Sequence, residues 1–85
     1  MLFQLYAIKD RSVEAFQPMS CCRAEGEALR AFHDALSNPQ DGVIHKHPDD
    51  FDLWYLGTYD DQTGHISAEQ PRKVADGKTF SQLGE

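Results

Sequence analysis

The residues from Phe51 to Leu56 constrain the fold of this chain more than any others. In an extended backbone Phe51, Leu53 and Tyr55 fall on one face and Asp52, Trp54 and Leu56 on the other, so the segment is apolar on nearly both sides. A strand of that kind belongs in the middle of a sheet or under cover twice. Its flanks carry the stop signals. Pro48-Asp-Asp50 suits one helical turn before it, and Asp60-Asp-Gln-Thr-Gly64 supplies carboxylates for backbone N–H groups and a glycine for a left-handed residue. His65, Ile66 and Ser67 then begin a return strand.

The remaining elements follow from periodicity. Leu2 to Ile8 is rich in strand formers, with Phe3, Leu5 and Ala7 on one side and Leu2, Tyr6 and Ile8 on the other. Asp10-Arg-Ser12 is a polar turn, and an extended run from Val13 to Cys22 completes a hairpin, with Pro18 assigning it to an edge or a bulge because proline donates no ladder hydrogen bond. From Ala24 to Ser37 the period changes: Ala28, Leu29, Phe32, Ala35 and Leu36 form one helical stripe. Glu25 and Glu27 favour its N-terminus, and Asn38-Pro39 closes it. Residues 39–50 read as a polar connection anchored by Val43 and Ile44, and Pro71 ends regular pairing or marks an edge. The expected fold is α+β, a small antiparallel sheet of three to four strands with one helix packed on a face. The expected domain spans 1–72, and 73–85 reads as a polar C-terminal tail.

Eighty-five residues make one small domain, which buries only about 60% of the surface its unfolded chain exposes. Self-association into a homodimer is the corresponding expectation. No apolar run approaches the roughly 20 residues of a membrane span, and the N-terminus alternates without a basic start, so a soluble cytosolic protein without membrane contact is expected. Cys21 and Cys22 are too few for a disulfide framework, and as neighbours in a strand they face opposite ways. The net charge of −6 is concentrated in the middle, where residues 37–62 set Lys46 against six aspartates. Nucleic-acid affinity rests on cations that displace counterions, so DNA binding by this chain would have to be local and salt-sensitive.

Catalytic and metal chemistry find no constellation. His33, His45, His47 and His65 lie on different elements, and adjacent cysteines lack the gap of paired zinc thiolates. Asp49, Asp50, Asp52, Asp60 and Asp61 lack the register of a calcium loop and are better explained as caps and turn residues. No phosphate loop, G-x-S-x-G or H-E-x-x-H is present, so neither an enzyme nor a cofactor is expected. The aromatic residues are the remaining chemistry, since such rings can stack single-stranded bases at about 1–3 kcal/mol each. Most of Phe3, Phe16, Phe32, Phe51 and Leu53 are assigned to the core. Trp54, Tyr55 and Tyr59 are the candidate contact surface, with Arg11, Arg30, Arg72 and Lys73 as its cations.

Four segments in order, Tyr6-Ala-Ile-Lys-Asp10, Gly26-Glu-Ala-Leu-Arg-Ala-Phe32, Lys46-His-Pro-Asp-Asp-Phe-Asp-Leu53 and Leu56-Gly-Thr-Tyr-Asp-Asp-Gln-Thr-Gly64, resemble the small nonstructural protein of gokushovirus-type microviruses, phages with single-stranded DNA genomes. The resemblance spans roughly residues 2–72 and carries over no catalytic residue. It implies a non-capsid protein of the bacterial host cytoplasm that assists viral DNA replication or single-stranded genome synthesis. Single-stranded DNA is one expected partner. The alternative is a host or viral replication protein held by the acidic Asp41–Asp61 region.

Overall fold

The computed structural model describes residues 1–79. Five strands form one antiparallel sheet: β1 (Leu2–Asp10), β2 (Ala15–Phe16), β3 (Ser20–Cys22), β4 (Phe51–Asp60) and β5 (Ile66–Asp76). The order is β2-β1-β4-β5, and β3 shares with β2 the outer edge of β1. The doubly apolar strand is central, as its pattern requires. The expected α+β architecture is present, with more strands than expected because the run from Val13 to Cys22 is interrupted around Pro18. There the Gln17 N–H donates to the Ile8 carbonyl (2.8 Å) and the chain leaves the ladder before β3 rejoins it.

Helix α1 (Glu25–Ser37) packs on one face of the sheet. Its N-terminus is closed by Glu27, whose carboxylate accepts the Arg23 backbone N–H (2.8 Å). Its C-terminus gives way at Asn38, whose side chain accepts the Gln40 N–H in the following 3₁₀ turn. The connection is not featureless: a 3₁₀ turn (Pro39–Asp41), the four-residue helix α2 (Val43–Lys46) and a second 3₁₀ turn (Pro48–Asp50) run straight into β4. Prolines at the start of both 3₁₀ turns fix φ where no N–H is needed. His45 Nδ1 lies 2.8 Å from the Leu36 carbonyl, tying α2 to the end of α1.

The core lies between α1 and the sheet, where Ala28, Phe32 and Leu36 meet Tyr6, Cys22, Phe51 and Leu53, with Ile44 of α2 closing one side. Phe32 and Phe51, at 1% and 2% exposure, are its largest members. Two residues expected there are elsewhere. Phe3 is half-buried and Phe16 exposed on the opposite face, because they share strand parity with Leu5 and Lys9 rather than with Tyr6.

Irregularities set the shape of the sheet. Between β1 and β4 the register passes from Leu5–Gly57 to Tyr6–Tyr55, leaving Leu56 as the extra residue of a bulge. Between β4 and β5 it passes from Tyr55–Arg72 to Gly57–Ala68, so Glu69, Gln70 and Pro71 stand outside the ladder. Strand β5 nonetheless continues to Asp76, past the boundary expected at 72, because Val74 and Ala75 pack against the core. Of the expected tail, residues 80–85 lie outside the described residues. The turn at 60–64 is built as its residues predict: the Gly64 N–H donates to the Asp60 carbonyl (2.7 Å), Gln62 N–H to the Asp60 carboxylate (2.9 Å), and Gly64 takes a φ of 76°.

Candidate nucleic-acid interface

Strand parity divides the side chains cleanly between the two faces. Tyr6, Ile8, Phe51, Leu53 and Tyr55 point to α1. Register then places Phe3, Leu5, Ala7 and Lys9 of β1, Phe16 of β2, Asp52, Trp54 and Tyr59 of β4, and Ile66, Lys73 and Asp76 of β5 on the face without a helix. Four of the nine aromatic residues therefore share one open surface. Phe16 meets Trp54 edge-on, with centroids 5.9 Å apart, and Phe3 stacks on Tyr59 at 6.4 Å.

Leu5 and Ala7 lie beneath these rings and are buried without any covering element. The Lys9 ammonium sits 5.5 Å from the Phe16 centroid and 5.6 Å from that of Trp54, an arrangement in which the ring faces attract the cation. Lys73 pairs with Asp76 at 3.9 Å across one side of this cluster. The Thr79 hydroxyl and amide hold the Asp76 carboxyl below its ordinary range.

At the same end Arg11 folds over Asp52, with Nε 3.2 Å from Oδ2, and its guanidinium also donates to the Asp49 carbonyl. Asp52 is 1% exposed, and its ion pair explains how a carboxylate is tolerated there. The second oxygen, Asp52 Oδ1, and the indole Nε1 of Trp54 are buried without a hydrogen-bond partner. Two of the cations at this end, Arg11 and Lys73, thus pair with Asp52 and Asp76, while Lys9 sits over the rings. The opposite end is acidic: Asp60 and Asp61 hold the N-terminal ammonium, at 4.0 and 2.5 Å.

Of the seven expected contact residues, Trp54, Arg11 and Lys73 gather at one end of this face, and Tyr59 shares the face at its other end. Arg30 is exposed on α1, away from it. Tyr55 and Arg72 are turned to the helix side, where they build a clasp. Arg72 lies over the Tyr55 ring at 5.0 Å and donates to Glu25 of α1 (3.1 Å), which also accepts the Tyr6 hydroxyl (3.1 Å); the Tyr55 hydroxyl donates to Gln4 (3.0 Å). Lys9, Phe3 and Phe16 are the face residues that sequence reasoning passed over. The signal was available in the parity of Phe3, Leu5, Ala7 and Lys9.

The clasp has a pH signature. Burial, and then the hydrogen bond to Glu25, push the Tyr6 phenol from 10.0 up to about 12. The unfolded chain ionises it near its ordinary value, so the neutral phenol stabilises the fold fully below pH 10 and this contribution is lost as pH rises from 10 towards 12. Alkaline unfolding followed by circular dichroism should therefore begin in that window, and Tyr6→Phe should shift its midpoint upwards.

Among the described residues, no group of three or more histidines, cysteines or carboxylates is placed to hold a metal ion. Both cysteines are free, Cys21 exposed and Cys22 buried, as adjacent strand positions dictate. No helix is long and apolar enough to cross a membrane among the described residues. The face thus offers aromatic rings and cations, while the unpartnered Asp52 Oδ1 and Trp54 Nε1 are buried. Comparison with curated proteins and with solved structures gives no match. The family model described as Phage ORF5 protein matches residues 3–80, a span that takes in the helix and nearly all of the sheet, and the chain belongs to that family of small phage-associated proteins.

Proposed function

We propose that the protein is the small nonstructural protein of a gokushovirus-type microvirus. In this reading it acts in the host cytoplasm during viral DNA replication or single-stranded genome synthesis, by binding single-stranded DNA rather than by catalysis. The observation that carries the reading is the clustering of Phe16 and Trp54 with Lys9, Lys73 and Arg11 on the helix-free face. Exposed rings on a sheet accept unstacked bases, while the adjacent cations neutralise phosphates. Duplex DNA hides the faces of its bases, so it should bind more weakly than single strands.

Fluorescence anisotropy of a labelled single-stranded oligonucleotide tests this. Binding should weaken with salt, and Trp54→Ala should cost about 1–3 kcal/mol, roughly 5- to 150-fold in affinity. Lys9→Ala should lower affinity and flatten the salt dependence by about 0.7 in the log–log slope. Arg30→Ala should change little. No binding at low salt, or binding indifferent to Trp54→Ala, would overturn the reading.

A second reading is capture of a host or viral replication protein. It is favoured by a cleft of about 490 Å³ on the helix side, where Asp10 and Asp41 flank Ala35, Ile44 and the exposed Val43. This acidic and apolar lining suits a basic amphipathic segment. Loss of a captured replication protein on Asp41→Lys, with DNA affinity absent in the parent, would favour it over the first reading.

A further inference from the structure

The outer edge of β1 is paired in two pieces that are out of step. Tyr6 faces Ser20 on β3 and Lys9 faces Phe16 on β2, so Ala7 and Ile8 lie opposite three residues, Gln17 to Met19. Pro18 has no N–H to give, and the Gln17 N–H reaches the Ile8 carbonyl instead. The chain bows outwards there. On α1 the residues that look into the gap are Ala28 and Ala31, one turn apart and too short to fill it.

What results is a cavity of about 110 Å³ between the helix and the sheet edge. Its floor is buried and largely apolar, made by Phe32, Leu53, Cys22 and the Tyr6 ring, whose hydroxyl is engaged by Glu25. Its mouth is exposed, with Gln17, Pro18 and Ala31 around it. The Gln17 carboxamide has no hydrogen-bond partner among the described residues.

Size and polarity together choose the guest. An apolar cavity of about 150 Å³ admits benzene, so this one, open at its mouth, takes a single six-membered ring and excludes the fused rings of a purine. A carboxamide at the rim presents a donor and an acceptor side by side. Thymine and uracil match both features. Their C5–C6 edge is apolar, and directly opposite it N3–H and the C2 carbonyl form the donor and acceptor that a carboxamide pairs with. Cytosine lacks the N3–H and would leave the carboxamide oxygen unpaired.

We propose that this cavity is a binding site for a thymine or uracil ring, inserted by its C5–C6 edge against Phe32 and Leu53 and hydrogen-bonded through N3–H and the C2 carbonyl to the side chain of Gln17. The ring comes either from a free nucleoside or from a base in a single strand. Binding of the nucleoside is independent of the helix-free face. Use of the cavity on a strand rests on the reading above, in which Phe16, next to Gln17 but on the helix-free face, stacks an adjacent base.

Titration with thymidine, followed through the amide signals of the isotope-labelled chain by NMR, tests the site. Signals of Gln17, Cys22, Ala28 and Ala31 should move and saturate, while that of the Trp54 indole stays. Ala31→Leu, which fills the mouth from an exposed helical position, should abolish the response, and Gln17→Ala should weaken it about fivefold. Gln17 is exposed, so its variant tests the site even if Ala31→Leu fails to fold. Cytidine should bind the parent more weakly than thymidine does. An oligothymidylate that moves the same signals identifies a base taken from a strand, and thymidine alone moving them identifies a free nucleoside. No saturable shift with either, an unchanged response in Ala31→Leu or Gln17→Ala, or equal affinity for thymidine and cytidine would overturn the proposal. Trp54→Ala should leave thymidine binding intact, so failure of the DNA reading and failure of this one give different results.

Discussion

Gly57→Ala should leave the chain unfolded. Gly57 has a φ of 143°, a conformation rarely adopted by residues with a side chain, and an added Cβ would overlap the Ser67 carbonyl oxygen on the neighbouring strand. The two penalties reinforce each other. Backbone strain alone contributes about 1–3 kcal/mol, and the collision is with main chain that has no rotamer to change. Relief would require β4 and β5 to separate next to the Leu56 bulge, in the middle of their pairing. A domain of this length has roughly 5 kcal/mol of stability at the low end of the usual range, so the loss is comparable with the total. The expected result is a chain without cooperative thermal unfolding by circular dichroism. Gly64→Ala, which meets nothing within 4 Å, should lose far less and serves as the comparison.

Phe32→Ala should cost about 3–5 kcal/mol, measured as a lowered denaturation midpoint in urea. The ring is 1% exposed and stands at the centre of the cluster that joins α1 to β1 and β4. Its removal takes away the buried apolar surface and leaves a void that Ala28 and Leu36, on the same stripe, are too constrained by the helix to fill. Phe16→Ala, a change of the same size on the exposed face, should cost much less stability. A Phe32→Ala protein as stable as the parent would mean that α1 is held by its polar clasp rather than by its apolar stripe.

These two positions also mark where the sequence was legible and where it was not. The helix was readable because Ala28, Phe32 and Leu36 repeat at its period, and β4 because Phe51 to Tyr55 has few polar residues. Strand β5 was harder. Residues 66–73 are exposed on both sides, so no alternation of apolar residues announces them, and the strand is held by its ladder to β4 rather than by burial. The division of 13–22 into two strands depends on how far Pro18 leaves the ladder, which is a matter of tertiary pairing.

For the candidate site, parity within β4 was sufficient to separate Trp54 from Tyr55, since Tyr55 shares a side with Phe51 and Leu53. Grouping both as contacts ignored that parity. The same parity puts Lys9 on the side of Phe3, Leu5 and Ala7, but its seat over Trp54 depends on the pairing of β1 with β4, a strand distant in sequence. Net charge is silent on the same point, because a total of −6 contains no information about which side of a sheet each charge occupies.

Helix α1 covers only one end of the sheet. Its contacts gather around Tyr6, Phe51 and Leu53, whereas at the other end Leu2 and Ser67 face the helix side uncovered. One hydrogen-bonded ladder therefore runs from an insulated region into one held by little besides its own pairing. Amide protons near Phe51 and Leu53 will exchange with solvent only when the whole chain opens, and those between Thr58 and Ser67 by brief fraying of the turn. The acidic tip can detach and re-form many times within a single lifetime of the folded core, which gives this small protein two clocks in one sheet.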